Sequence, residues 1–136
     1  TLYPISIKYD FSSLRNPKQR PKIDGCSYTT AGPTLIMNGE ILKTFHDSIR
    51  HPRSAVGIKD SNTLLFLVVD GRQEELSAGM TLRELAAFLK TLGVREAYNL
   101  DGGGSSTLVV KGRVMNSPSD TTGERPVGDA IILFPR

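Results

Sequence analysis

Thr63-Leu-Leu-Phe-Leu-Val-Val69 is the segment that most limits what this chain can become. Its side chains are apolar on both faces of an extended strand, which belongs inside a sheet rather than at a wet edge. Ser54-Ala-Val-Gly-Ile58 precedes it across a polar turn at Lys59 to Asn62, so a strand neighbour lies close in sequence. The rest of the chain must then extend and cover a sheet begun around residues 54–69.

The remaining punctuation fits that demand. Thr34-Leu-Ile-Met37 and Glu40-Ile-Leu42 flank Asn38-Gly39, a pair suited to the positive φ angles of a type I′ hairpin turn. Thr81-Leu-Arg-Glu84 is a capping box, followed by Leu82, Leu85, Ala86, Leu89 and Leu92 at helical spacing and then by Gly93. That pattern predicts a helix of about three turns, with its apolar face against the sheet. Val94 to Leu100 reads as a strand, Thr107-Leu-Val-Val110 and Arg113-Val-Met115 as a hairpin, and Ala130-Ile-Ile-Leu-Phe134 as a closing buried strand. Within the Pro-, Ser- and Lys-rich first 30 residues, only Ile5-Ser-Ile7-Lys-Tyr9 alternates as a strand would. The expected class is α+β, a mixed or antiparallel sheet with one or two helices packed on it, in a single domain over residues 1–136.

Composition narrows the partners. Charged residues make up 23% of the chain and the net charge is +3, without the basic stripe of a nucleic-acid binder. Arg15 to Lys22 is basic but carries two prolines and reads as a solvated connection. No apolar run is long enough to insert in a membrane. Cys26 is the only cysteine, and His46 and His51 lack the spacing of a zinc site, so neither a metal nor another cofactor is called for.

Four polar clusters sit at strand ends or in loops, where sites concentrate. Asn99-Leu-Asp101-Gly-Gly-Gly-Ser105-Ser106 allows close backbone approach and aims N–H groups at an anion. No Lys-Ser/Thr follows and the next segment reads as a strand, which argues against nucleotide loops. Val69-Asp70-Gly71-Arg72 and His51-Pro52-Arg53-Ser54 each offer an arginine suited to bidentate phosphate binding. A lone histidine such as His51 is more often a structural residue than a catalyst. Asn116 to Asp120, with Gly123-Glu124-Arg125-Pro126, adds a carboxylate whose protonation depends on its neighbours. Each cluster alone could be an ordinary turn. Together they hold cations, carboxylates and a glycine turn, the ingredients of sugar–phosphate chemistry.

Arg53-Ser-Ala-Val-Gly57, Val69-Asp-Gly-Arg72, Met80-Thr-Leu-Arg-Glu-Leu-Ala86, Asn99-Leu-Asp-Gly-Gly-Gly-Ser-Ser106 and Gly123-Glu-Arg-Pro-Val127 resemble the phosphodiester glycosidase family, in order, over about residues 31–134. The resemblance implies a hydrolase that cleaves the glycosidic bond of a sugar–phosphate diester, of the N-acetylglucosamine type. It implies substrate and phosphate binding by Arg53, Arg72, Gly102, Gly103, Gly104, Ser105 and Arg125, and catalytic carboxylates among Asp101, Glu124 and Asp70. Through the family it also implies a secreted or cell-envelope setting and exopolysaccharide-like substrates. Members carry an earlier Asn-Gly-Gly-Phe-Phe-like motif that this chain lacks, so association with a separate N-terminal segment or a second chain is expected. The same departure raises an alternative, a non-catalytic module that binds glycosyl phosphates or envelope polysaccharide.

Overall fold

The structure is a computed structural model; it describes the backbone of residues 2–8 and residues 32–43, 45, 48–128 and 130–133. Arg15 to Lys22, Cys26 and His46 lie outside the described residues. The chain order is β1 (Leu2–Lys8), β2 (Thr34–Met37), β3 (Glu40–Ile41), β4 (Arg53–Asp60), β5 (Thr63–Val69), α1 (Leu82–Thr91), β6 (Glu96–Asn99), a 3₁₀ turn (Gly103–Ser105), β7 (Val109–Val110) and β8 (Arg113–Val114). Six strands form one sheet in the order β1-β5-β4-β6-β2-β3, and every neighbouring pair is antiparallel. β7 and β8 make a separate small hairpin.

The apolar strand lies where its sequence requires, between β1 and β4. Leu65, Leu67 and Val69 point into the main core with Ala55, Ala97, Leu35 and Ile36. α1 closes that core with Leu82, Leu85, Ala86 and Leu89. Each fully buried leucine here contributes about 1.5–3 kcal/mol by removal from water. The Asn38-Gly39 turn adopts φ angles of 52° and 79°, the left-handed pair expected from its sequence.

Both ends of α1 are fixed by backbone chemistry. At the N-terminus, Glu84 N–H donates to Thr81 Oγ1 at 3.2 Å and Thr81 N–H donates to Glu84 Oε2 at 2.9 Å, completing the capping box. At the C-terminus, Gly93 at φ 78° donates its N–H to Lys90 O at 3.0 Å, and Val94 N–H reaches Leu89 O at 3.2 Å. These two bonds form a Schellman motif, with Val94 and Leu89 both in the core.

Arg50 also grips Glu84, donating through Nε at 3.0 Å and through Nη2. This hydrogen bond, aided by the Thr81 N–H, holds the Glu84 carboxyl at about 2, against an ordinary 4.5. Because the folded value is depressed, the stabilisation is complete above pH 4.5 and drains as pH falls toward 2. Thermal melts across that window should show falling stability. Glu84→Gln should flatten the fall, leaving the shares of Asp60 and Asp120, whose carboxyls the Asn62 N–H and the Arg125 side chain also hold low. An unchanged pH profile in the variant would remove Glu84 from this role.

One sequence expectation is corrected. Residues 130–133 form no strand and lie exposed, Ile131 at 56% and Ile132 at 66%. β5, β4, β6 and β2 each already have two partners, and the segment pairs with neither edge strand, β1 or β3. The segment instead lines a groove of about 920 Å³ with Phe66, Leu67 and Val68. Phe134 lies outside the described residues.

Candidate active site

The antiparallel register carries the polar clusters to one end of the sheet. Arg53 lies opposite Val69, and Ala55 opposite Asn99. The loops that leave these positions, together with residues 120–125, meet over a cleft of about 490 Å³, within the usual range for small-ligand sites. Its lining includes Arg53, Arg72, Asp101, Gly102, Gly103, Gly104 and Arg125, along with His51, Asn99 and Gly32.

The segment at residues 51–53 is the floor that the other loops grip. His51 exchanges backbone hydrogen bonds with Met80, at 3.2 and 3.0 Å. Pro52 is fully buried, and its carbonyl accepts the Gly103 N–H at 3.0 Å. Arg53, 8% exposed, donates Nε to Met80 O at 2.8 Å and Nη2 to Ile49 O at 3.3 Å. Part of its guanidinium is therefore spent on holding the floor.

The three consecutive glycines have separate tasks. A Cβ on Gly102 would lie 2.9 Å from Pro52 O, and one on Gly103 3.1 Å from Arg72 Nη1. On Gly104 it would lie 2.2 Å from Asp120 Oδ1 and 2.3 Å from Arg125 Nη2. The sequence suggested glycines that let the backbone approach a ligand closely; all three line the cleft, and the space beside them is filled by Pro52, Arg72, Asp120 and Arg125. Their absent side chains let two arginines flank the turn.

Each of these arginines is held by one partner. Arg125 donates Nε and Nη2 to the two carboxylate oxygens of Asp120, at 2.5 and 2.6 Å. This hydrogen bond, with Coulombic help from Arg125 and Arg72, holds the Asp120 carboxyl below its ordinary value and raises Arg125. Arg72 approaches His51 Nδ1 through Nε at 3.3 Å and Nη2 at 3.0 Å. Arginine only donates, so Nδ1 must carry the lone pair and a neutral His51 must carry its proton on Nε2. Neither Arg72 Nη1 nor Arg125 Nη1 has a hydrogen bond to a described residue. Asp101, on the same lip, accepts the Gly102 N–H through Oδ1 at 2.8 Å and acts electrostatically on Arg125.

The remaining candidates are elsewhere. Asp70 is fully buried behind the cleft; its Oδ1 accepts from Ser117 N at 2.9 Å and Asn116 Nδ2 at 3.1 Å, anchoring the 116–119 loop. Glu124 and Ser105 line the larger groove, which Asp101 and Arg125 also border. Asp101 and Arg125 thus form a ridge between the two cavities. The sequence reading did not single out Asp120 or Asn99 as site residues and gave His51 little weight. Neither the Asp120–Arg125 nor the His51–Arg72 partnership has a spacing signature that could have revealed it. Among the described residues, no three His, Cys, Asp or Glu side chains cluster as a metal site would need.

Fold and site together define an α+β domain with a cationic cleft at one end of an antiparallel sheet. The chain belongs to the phosphodiester glycosidase family, whose defining pattern matches residues 7–134. It is 46% identical over 68 residues to the bovine N-acetylglucosamine-1-phosphodiester alpha-N-acetylglucosaminidase, covering 50% of this chain and 12% of that protein. The SPbeta prophage-derived uncharacterized protein YomE of Bacillus subtilis is 37% identical over 86 residues, 63% of this chain and 13% of its own length. The catalytic domain of the zebrafish N-acetylglucosamine-1-phosphodiester alpha-N-acetylglucosaminidase, auto-inhibited by its pro-peptide, superposes with a TM-score of 0.56 at 32% identity. That match covers 70% of this chain and 35% of the zebrafish one. A Burkholderia pseudomallei protein matches with the same TM-score at 48% identity, over 58% of this chain and 15% of its own. The chain therefore spans about one eighth of the curated relatives it matches.

Proposed function

We propose that this chain carries the phosphate-binding and acid–base part of a hydrolase that cleaves the glycosidic bond of a sugar–phosphate diester. One observation carries this reading: Arg72 and Arg125 flank the glycine turn, each with an Nη1 that bonds no described residue, and the Asp101 carboxylate stands on the same lip. Two guanidiniums aimed at one small cleft suit the non-bridging oxygens of a phosphodiester. A phosphomonoester leaves with little need for protonation. The carboxylate is then free to activate water or to stabilise positive charge on the sugar ring. In this reading Asp101 is that carboxylate, with Glu124 facing the aglycone from the groove side. Arg53 adds positive potential from the floor, and Asp70 acts by holding the 116–119 loop.

Glu124 lies outside the cleft that holds the arginines. This favours, as a second reading, a module that binds glycosyl phosphates without cleaving them. Incubation with UDP-N-acetylglucosamine and with alkyl phosphodiesters of N-acetylglucosamine separates the two. Release of free sugar, seen by mass spectrometry, is the expected result. Calorimetric binding without release would transfer the chain to the second reading, and neither binding nor release would overturn both.

A further inference from the structure

One residue of the cleft lining, Asn99, holds an unmatched hydrogen-bond acceptor. Asn99 ends β6 at the cleft border and is 6% exposed. Its Nδ2 donates to Leu100 O at 2.7 Å, which fixes the orientation of the amide and turns Oδ1 into a committed acceptor. That Oδ1 is buried and receives no hydrogen bond from a described residue. A buried acceptor left unmatched costs about 1–3 kcal/mol, so native structures keep few of them without a reason. The neighbouring Gly32 lies so close that a Cβ there would meet Asn99 Nδ2 at 2.5 Å, which holds the amide from the other side.

We infer that Asn99 is a specificity-determining residue: its Oδ1 accepts a hydrogen bond from a hydroxyl or amide N–H on the glycosyl unit of the ligand. The inference rests on the sugar–phosphate reading of the cleft and deepens it. Arginines can supply only donors, so they bind the phosphate and ignore what is attached to it. An acceptor at a fixed distance from them responds instead to a donor placed at one position on the neutral part. Sites built around such a hydrogen bond reject analogues that lack the matching group, because the protein atom is then left buried and unpaired.

Asn99→Leu tests this, because leucine nearly matches asparagine in shape and removes the acceptor. Binding of N-acetylglucosamine 1-phosphate and of inorganic phosphate is measured by calorimetry for both proteins. The variant should bind the sugar phosphate about 5- to 100-fold more weakly and inorganic phosphate unchanged. Its melting temperature should stay within about 3 °C of the parent, since removing the unmatched buried acceptor offsets the lost Nδ2 bond to Leu100 O. Should leucine prevent folding, Asn99→Ser, whose hydroxyl is too short to reach the same point, must show the same selective loss. In the parent protein, one member of a monodeoxy series of the sugar phosphate should lose a similar factor, and that loss should vanish in the variant.

Parallel weakening of inorganic phosphate would reduce Asn99 to a structural role and overturn the inference. So would unchanged sugar-phosphate affinity, as when water alone satisfies the oxygen, or a parent that binds the sugar phosphate no tighter than phosphate. Selective binding without sugar release from any diester would leave the inference standing and defeat only the hydrolase reading.

Discussion

Exchanging Asp101 for asparagine is expected to lower sugar release by about 10²- to 10⁴-fold, the usual weight of a positioned acid–base group. The substitution is nearly isosteric. The amide oxygen can still accept the Gly102 N–H that the Asp101 Oδ1 accepts at 2.8 Å, so the glycine turn keeps its shape. What disappears is a negative charge beside Arg125. With that charge gone, Arg125 keeps Asp120 as its carboxylate partner and loses only the weaker pull of Asp101, so inorganic phosphate should bind as well as before or more tightly. The loss should therefore fall on kcat rather than on binding, and calorimetry alongside a turnover assay reads the two separately. Full activity in the variant would remove Asp101 from the chemistry. Loss of turnover and phosphate binding together would mean that the turn itself had moved.

The largest effect on stability is expected at Gly79. Its φ is 93°, and a Cβ there would lie 2.4 Å from His51 O and 2.5 Å from His51 C. Both are backbone atoms, and the same carbonyl accepts the Met80 N–H at 3.0 Å. Gly79→Ala must therefore strain its own backbone and break the bridge that holds the floor. We expect a loss of about 3–5 kcal/mol in urea unfolding, a large fraction of the stability of a small domain. Gly104 provides the contrast. An added methyl there meets the ends of the Asp120 and Arg125 side chains, which can swing away. A Gly79→Ala loss below about 1 kcal/mol would mean that residues 51–53 are not clamped as described.

Much of the fold was legible because its signals are local. Thr81 and Glu84 announce the start of α1 through a reciprocal bond three residues apart, and Gly93 announces its end. Asn38-Gly39 specifies its own turn, and the run from Leu64 to Val69 requires neighbours on both sides. Ile131 to Leu133 misled for the complementary reason. An apolar run shows a liking for apolar neighbours but not whether it meets them by strand pairing or, as here, by lining a groove with other segments. The site was legible as composition and less so as geometry. Arg53, Arg72, Asp101 and Arg125 do meet in one cleft. The sequence could not show that Asp120 would hold Arg125, that His51 would hold Arg72, or that Asp70 would turn inward to Asn116 and Ser117. Those partnerships join separate loops and leave no periodic trace.

The β4–β5 ladder bears on the order in which this domain assembles. Its pairing begins at Asp60 and Thr63, beside the turn, and ends with Arg53 opposite Val69. A hairpin with so short a turn can zip from the turn outward in about 1–10 μs. Asp70, Gly71 and Arg72 lie beyond its last rung, at the end farthest from where zipping begins. Asn99 reaches Ala55 only after β6 closes a connection of about 30 residues from Val69, a slower step that carries its own entropy cost. The cleft therefore waits on the β4–β6 closure, and it sits at the open end of the β4–β5 ladder, where fraying begins. Binding competence, in this architecture, reports that β4, β5 and β6 have closed on one another.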